Sequence, residues 1–235
     1  MNCRDVIKCI SQMNMAKTLE ITKHHWSRKK ILASSLWGAV LLALSLMINY
    51  LAGTYATTHA SNAVNDLILD HLPTYDVDGI FIYGIILFFF FVGFLVILRP
   101  RRAPFVMKSF SAFILIRSFF VILTHLGPSL QQSPIDINSY IVNTITFNGD
   151  LFFSGHTGLP FLMALVFWKD KKLRFTFLAL SVFFGVVVLM GHLHYSIDVF
   201  SAFFITYGIF HISSWLFAKD HHLLNSTKEI PSKPK

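Results

Sequence analysis

The sequence predicts an all-α, polytopic membrane protein with six transmembrane helices and both termini in the cytoplasm. Three observations carry that expectation. Of the 235 residues 54% are hydrophobic and 14% charged, with 25 Phe, a composition that suits hydrocarbon better than water. Six apolar stretches are long enough to cross about 30 Å of bilayer core as helices. Lys and Arg gather in alternate connecting segments, as they do in cytoplasmic loops.

The spans run Ile31 to Tyr50, Gly79 to Leu98, Val106 to Leu126, Phe152 to Trp168, Phe175 to Gly191 and Val199 to Phe217. Ahead of them residues 1–30 form a cytoplasmic basic segment, readable either as a surface helix or as a solvated tail. The first span follows that segment with no small-residue cleavage site behind it, so it reads as retained. Cationic residues fill the N-terminal segment (Lys17, Lys23, Arg28, Lys29, Lys30), the turn Arg99-Pro100-Arg101-Arg102, the stretch from Lys169 to Arg174, and the tail from Lys219. The two opposite loops, Ala56 to Asp78 and Pro128 to Asp150, contain neither Lys nor Arg, which places them on the exoplasmic side. One membrane domain, residues 31–217, is therefore expected, followed by a cytoplasmic tail, 218–235, with the composition of an unstructured segment.

Topology and anionic inner-leaflet lipid account for the formal charge of +8, so no nucleic acid is needed as a partner. Cys3 and Cys9 lie in the reducing compartment, which argues against a structural disulfide. The first exoplasmic loop holds Asp66, Asp70, Asp76 and Asp78, of which most are expected to be solvated and about one to serve the site.

Polar residues costly to place beside lipid concentrate in two runs, Gly149-Asp150-Leu151-Phe152-Phe153-Ser154-Gly155-His156-Thr157 and His194-Tyr195-Ser196-Ile197-Asp198. His194 and Asp198 are four apart at the start of the sixth span, so on a helix they share a face. Two readings fit that spacing: a carboxylate orienting a histidine for nucleophilic or proton-transfer work, or a pair that only neutralises itself near the interface. His156 stands at matching depth after the small Ser154-Gly155 pair, where close backbone approach and a helix N-terminus favour an anion such as phosphate. Arg117, in the middle of the third span, is expensive in hydrocarbon and should face inward to a carboxylate or a phosphate. With two histidines and an Asp so occupied and no Glu or Cys beside them, no metal and no cofactor are expected.

The pattern Gly-Asp-x-x-Phe-Ser-Gly-His-Thr followed by His-Tyr-Ser-Ile-Asp-Val resembles the two signature motifs of the sphingomyelin synthase-like branch of the lipid phosphate phosphatase (PAP2-like) superfamily. The resemblance spans roughly residues 31–217 and is most specific in these motifs. It implies that His194 attacks phosphorus, that Asp198 orients it, and that His156 protonates the leaving alcohol and then deprotonates the acceptor. Arg117, Asp150, Ser154 and Gly155 would bind the substrate, with Thr124 near the family's third-span motif. His71-Leu72-Pro73-Thr74-Tyr75-Asp76 is faintly similar to the family's Pro-rich first motif. Asn148 stands where a Cys is usual and Gly208 where an Arg is common, departures that bear on head-group and acceptor choice. The implied function is transfer of a phosphocholine or phosphoethanolamine head group from a glycerophospholipid to a lipid hydroxyl such as that of ceramide. A hydrolase using the same triad is the first alternative, and a non-catalytic lipid-binding protein the second. Membrane lipids are the expected partners; a compact chain suits a bacterial inner membrane, with Golgi or plasma membrane as alternatives.

Overall fold

The computed structural model describes residues 28–124, 126–130 and 152–225, and every regular element among them is helical. In chain order these are α1 (Arg28–Thr58), α2 (Asp78–Leu98), α3 (Ala103–Leu123), α4 (Gly155–Val166), α5 (Lys171–Met190), α6 (Ser196–Leu216) and α7 (Ala218–Asn225). Short 3₁₀ turns at Leu69–His71 and Pro100–Arg102 complete the set.

Five helices are long and apolar enough to cross a membrane: α1, α2, α3 extended back to Pro100, α5 and α6. The fourth expected span is instead the 12-residue α4, about 18 Å long at 1.5 Å per residue. Its ends explain its length. Ser154 caps the start by accepting the Thr157 N–H, and the chain leaves the helix at Phe167, just before the polar Lys169-Asp170 turn. α4 is buried along almost its whole length, packed by α5 and α6 and touched by α3. An apolar helix enclosed by neighbours has no lipid face to match, so its length is free of the bilayer constraint.

Close approach of these helices depends on small residues. A Cβ on Gly158 would lie 2.7 Å from the Phe113 ring and 2.9 Å from Thr206 Oγ1, so α4 meets α3 and α6 at a point where only glycine fits. α1 lies along α3 with Ser118 donating to Asn49 Oδ1 at 3.3 Å, and it turns Leu36, Trp37, Leu44, Met47 and Leu51 outward. Outward apolar side chains are what a lipid-facing surface requires.

The two ends of the bundle differ in charge. At one end Lys108 Nζ donates to Asp220 Oδ2 at 2.7 Å and to Ser34 Oγ at 2.8 Å, while Ser34 Oγ donates to Asp220 Oδ1 at 2.7 Å. Arg102 lies over the Phe167 ring and 3.9 Å from Asp170 at the same end. This closed triad is why residues 218–225, expected to be unstructured from composition, form a helix: Asp220 is drawn onto a buried ammonium. At the opposite end lie loop 59–77, residues 126–130, and the turns into α4 and α6.

Candidate active site

α6 begins where Tyr195 adopts extended backbone (φ −70°, ψ 157°) ahead of Ser196. Asp198, three residues on, accepts the Tyr195 N–H at 3.0 Å through Oδ2, satisfying an N–H that the first turn leaves open. The same oxygen lies 3.6 Å from His194 Nδ1, the spacing of an ion pair once the ring is protonated and longer than a hydrogen bond. Asp198 is fully buried, and its Oδ1 has no hydrogen-bond partner among the described residues.

The second run of polar residues is joined to the first by backbone. Ser154 N–H donates to the Asp198 carbonyl at 3.0 Å, fastening the start of α4 to the first turn of α6. Just before it Phe153 is held at φ 26°, a conformation costly for a bulky L residue. In that conformation its carbonyl accepts Arg117 Nε at 2.9 Å. The guanidinium consequently passes Gly155, where an added Cβ would stand 3.7 Å from Arg117 Nε. Arg117 is six residues before the end of α3, about 9 Å down the helix axis, so the start of α4 is sunk into the bundle.

His156 lies one residue into α4, with its ring stacked on Phe81 of α2 at 4.0 Å between centroids. Its Nε2 is 3.2 Å from the Phe81 carbonyl, which only accepts, so Nε2 carries the hydrogen of that bond. Nδ1 is then the nitrogen left for proton transfer in the neutral ring. His156 directly follows Gly155, which the Arg117 guanidinium passes, and the Ser154 bond to Asp198 sets this start of α4 against the turn that carries His194. Six of the seven residues singled out by sequence, Arg117, Ser154, Gly155, His156, His194 and Asp198, thus converge around one point; Asp150 lies outside the described residues.

Residues 148–215 match the PAP2 superfamily C-terminal family model. No curated protein and no solved structure matches the chain. The matched stretch holds both motif histidines and Asp198, so the likeness to PAP2 proteins is confined to this region of the chain. Arg117 and the whole first loop fall outside it.

That loop nevertheless reaches the start of α6, through a carboxylate that the sequence had not distinguished from its three neighbours. Asp66 is buried: its Oδ2 accepts the Ser196 N–H at 2.6 Å and its Oδ1 accepts the N–H groups of Ile68 and Leu69 at 2.9 and 3.2 Å. Burial alone would raise its pKa, but those N–H donors, led by Ser196, together with the Ser196 hydroxyl outweigh it and hold the carboxylate below its ordinary range. Tyr195 Oη donates to the Gly127 carbonyl at 2.8 Å and accepts the Val64 N–H at 3.2 Å. His192, buried at φ 52°, places Nε2 3.1 Å from the Leu72 carbonyl, and Tyr75 N–H donates to the Met190 carbonyl at 2.9 Å. The only local hint is that an Asp two and three residues ahead of free N–H groups closes a turn; the partner 130 residues away carries no sequence signal. Among the described residues no three His, Cys, Asp or Glu side chains gather as a metal site would need.

Proposed function

We propose that this chain is a membrane phosphotransferase that moves a phosphocholine or phosphoethanolamine head group from a glycerophospholipid to a lipid hydroxyl such as that of ceramide. The observation that carries the proposal is the union of the two motifs: the Ser154 N–H bond to the Asp198 carbonyl brings His156, His194 and Arg117 around one recessed point. In the first step His194 Nε2 attacks phosphorus and the bond from phosphorus to the diacylglycerol oxygen breaks. A proton held on His156 Nδ1 passes to that oxygen, and the phosphorylated ring of His194 carries a positive charge 3.6 Å from Asp198. In the second step His156, now neutral, takes the proton of the acceptor hydroxyl, whose oxygen attacks phosphorus and releases His194. Arg117, held by the Phe153 carbonyl, offsets charge on the equatorial phosphate oxygens.

Charge supports a phospholipid donor. A phosphodiester bears less negative charge than a phosphomonoester, and Arg117 is the Lys or Arg that the described structure brings to this point, the others lying toward the opposite end. The family match favours one competing reading, hydrolysis, in which water replaces the lipid acceptor. Purified protein in mixed micelles with labelled phosphatidylcholine, with and without ceramide, separates the two. Label on ceramide supports transfer, and free phosphocholine in both reactions supports a hydrolase. Neither product means that the proposal is wrong.

A further inference from the structure

We propose that Asp66 is a positioning residue for His194: by holding the Ser196 N–H it fixes the turn from which the nucleophilic ring projects. The proposal rests on the reading of His194 as nucleophile given above. His194 precedes α6, in the turn Leu193 to Ser196, so the way that turn is anchored helps set the direction of its ring. Two adjacent N–H groups at that turn are each taken by a carboxylate, Tyr195 by Asp198 and Ser196 by Asp66. Asp198 is attached to the helix it caps. Asp66 arrives from the loop between α1 and α2, and its other oxygen is locked by Ile68 and Leu69, so it cannot follow the turn if the turn shifts.

The remaining bonds around it make this a clasp. Val64 and Gly127 hold the Tyr195 hydroxyl, and Leu72 and Tyr75 hold His192 and Met190. Of these contacts only the Asp66 bond is charge-assisted, and it reaches the residue two positions after His194. A misplacement of about 1 Å at a reacting atom is worth on the order of 100-fold in rate. At metal-bound histidines, loss of the partner that orients the ring costs about 10- to 100-fold, and we take that range as the scale expected here.

The bond can be removed from either side. Asp66→Asn removes the charge. Ser196→Pro removes both groups that Asp66 accepts there, the N–H and the hydroxyl, and sets a ring carbon where Oδ2 now lies, so the carboxylate must withdraw; the helix itself can form, because Ser196 is the first residue of α6, where proline is well tolerated, and Tyr195 already has the extended backbone that a residue before proline prefers. Each single variant, purified in detergent and assayed for head-group release from phosphatidylcholine, is expected to lose about 10- to 100-fold in kcat with KM within about twofold. The double variant should be no slower than the slower single variant. Independently of turnover, carbethoxylation of His194 by diethyl pyrocarbonate, followed by mass spectrometry, should change several-fold in both variants while the exposed His59 reacts at its wild-type rate. Wild-type kcat in either variant, losses that multiply in the double variant, or a loss that only tracks the folded fraction would overturn the proposal. If the wild-type protein turns over no phosphatidylcholine, the functional reading fails, and the His194 carbethoxylation rates still decide whether Asp66 positions the ring.

Discussion

Asp198 belongs to two arrangements at once. One carboxylate oxygen closes the N-terminus of α6 and also lies 3.6 Å from His194 Nδ1, so the residue that caps the helix is the one beside the ring four positions before it. On the proposed mechanism His194→Ala abolishes head-group transfer, and Asp198→Asn lowers kcat by on the order of 10⁴-fold, as loss of an orienting carboxylate does elsewhere. Both are read in micelle assays on protein whose thermal unfolding is checked alongside; full turnover in either variant excludes the assignment. Asp66 makes a separate prediction about pH. Its carboxyl is held below the ordinary value of 3.8, so its contribution to stability is complete above that value and is lost as pH falls through the lower, native value. Wild type should therefore unfold at a higher temperature than Asp66→Asn near neutral pH, and the gap should close as the pH drops below about 4. A gap that widens on acidification would contradict that sign. Sequence singled out His156, His194, Asp198 and Arg117 because ionisable groups beside lipid demand partners. It did not distinguish Asp66 from Asp70 or Asp76, since four loop carboxylates look alike until one of them meets a distant N–H.

α4 is the element whose form departs furthest from what apolar length suggests. The 17 residues from Phe152 to Trp168 read as a span, yet the helix occupies 12 of them, begins beneath the rim and is wrapped by α3, α5 and α6. Its depth follows from contacts at its first turn, where Phe153 accepts Arg117 and Ser154 reaches Asp198. Its lateral fit depends on Gly158. Gly158→Val would press a branched side chain against Phe113 and Thr206, and we predict a loss of about 1–3 kcal/mol, measured as lowered thermal stability in detergent. An unchanged unfolding temperature would mean that α3 and α4 separate more readily than their packing indicates.

At the scale of the whole molecule the two ends do different work. One end carries the candidate site under a clasp of loops, and the other is pinned by the buried Lys108, Asp220 and Ser34 triad. Asp220→Ala strands a buried ammonium and should cost about 3–5 kcal/mol, whereas Lys108→Met combined with Asp220→Leu should cost far less. Thermal unfolding of the single and double variants reads the difference; equal losses would show that the pair adds nothing beyond packing. The charge asymmetry also carries the proposed orientation, with termini in the cytoplasm and the site on the exoplasmic side. Tags on either terminus should then resist protease added to intact cells, and cleavage would reverse the topology.

Apolar length determined from sequence alone that helices dominate the described residues, because an uninterrupted apolar run of about 20 residues matches a spanning helix, whereas a barrel strand needs about 10 with alternating faces. The His-x-x-x-Asp spacing placed His194 near Asp198, but not on a shared helix face as expected: His194 precedes α6, and the extended Tyr195 at the helix start sets its Nδ1 3.6 Å from Asp198. What only the tertiary structure decided is everything that joins distant segments. It sank the start of α4 to the level of Arg117, set His156 against the Phe81 carbonyl, drew residues 218–225 into a helix and brought Asp66 to Ser196. Those bonds link residues up to 186 positions apart, and their partners are chosen by burial and by the need of each buried N–H or charge for a counterpart, which no local pattern encodes.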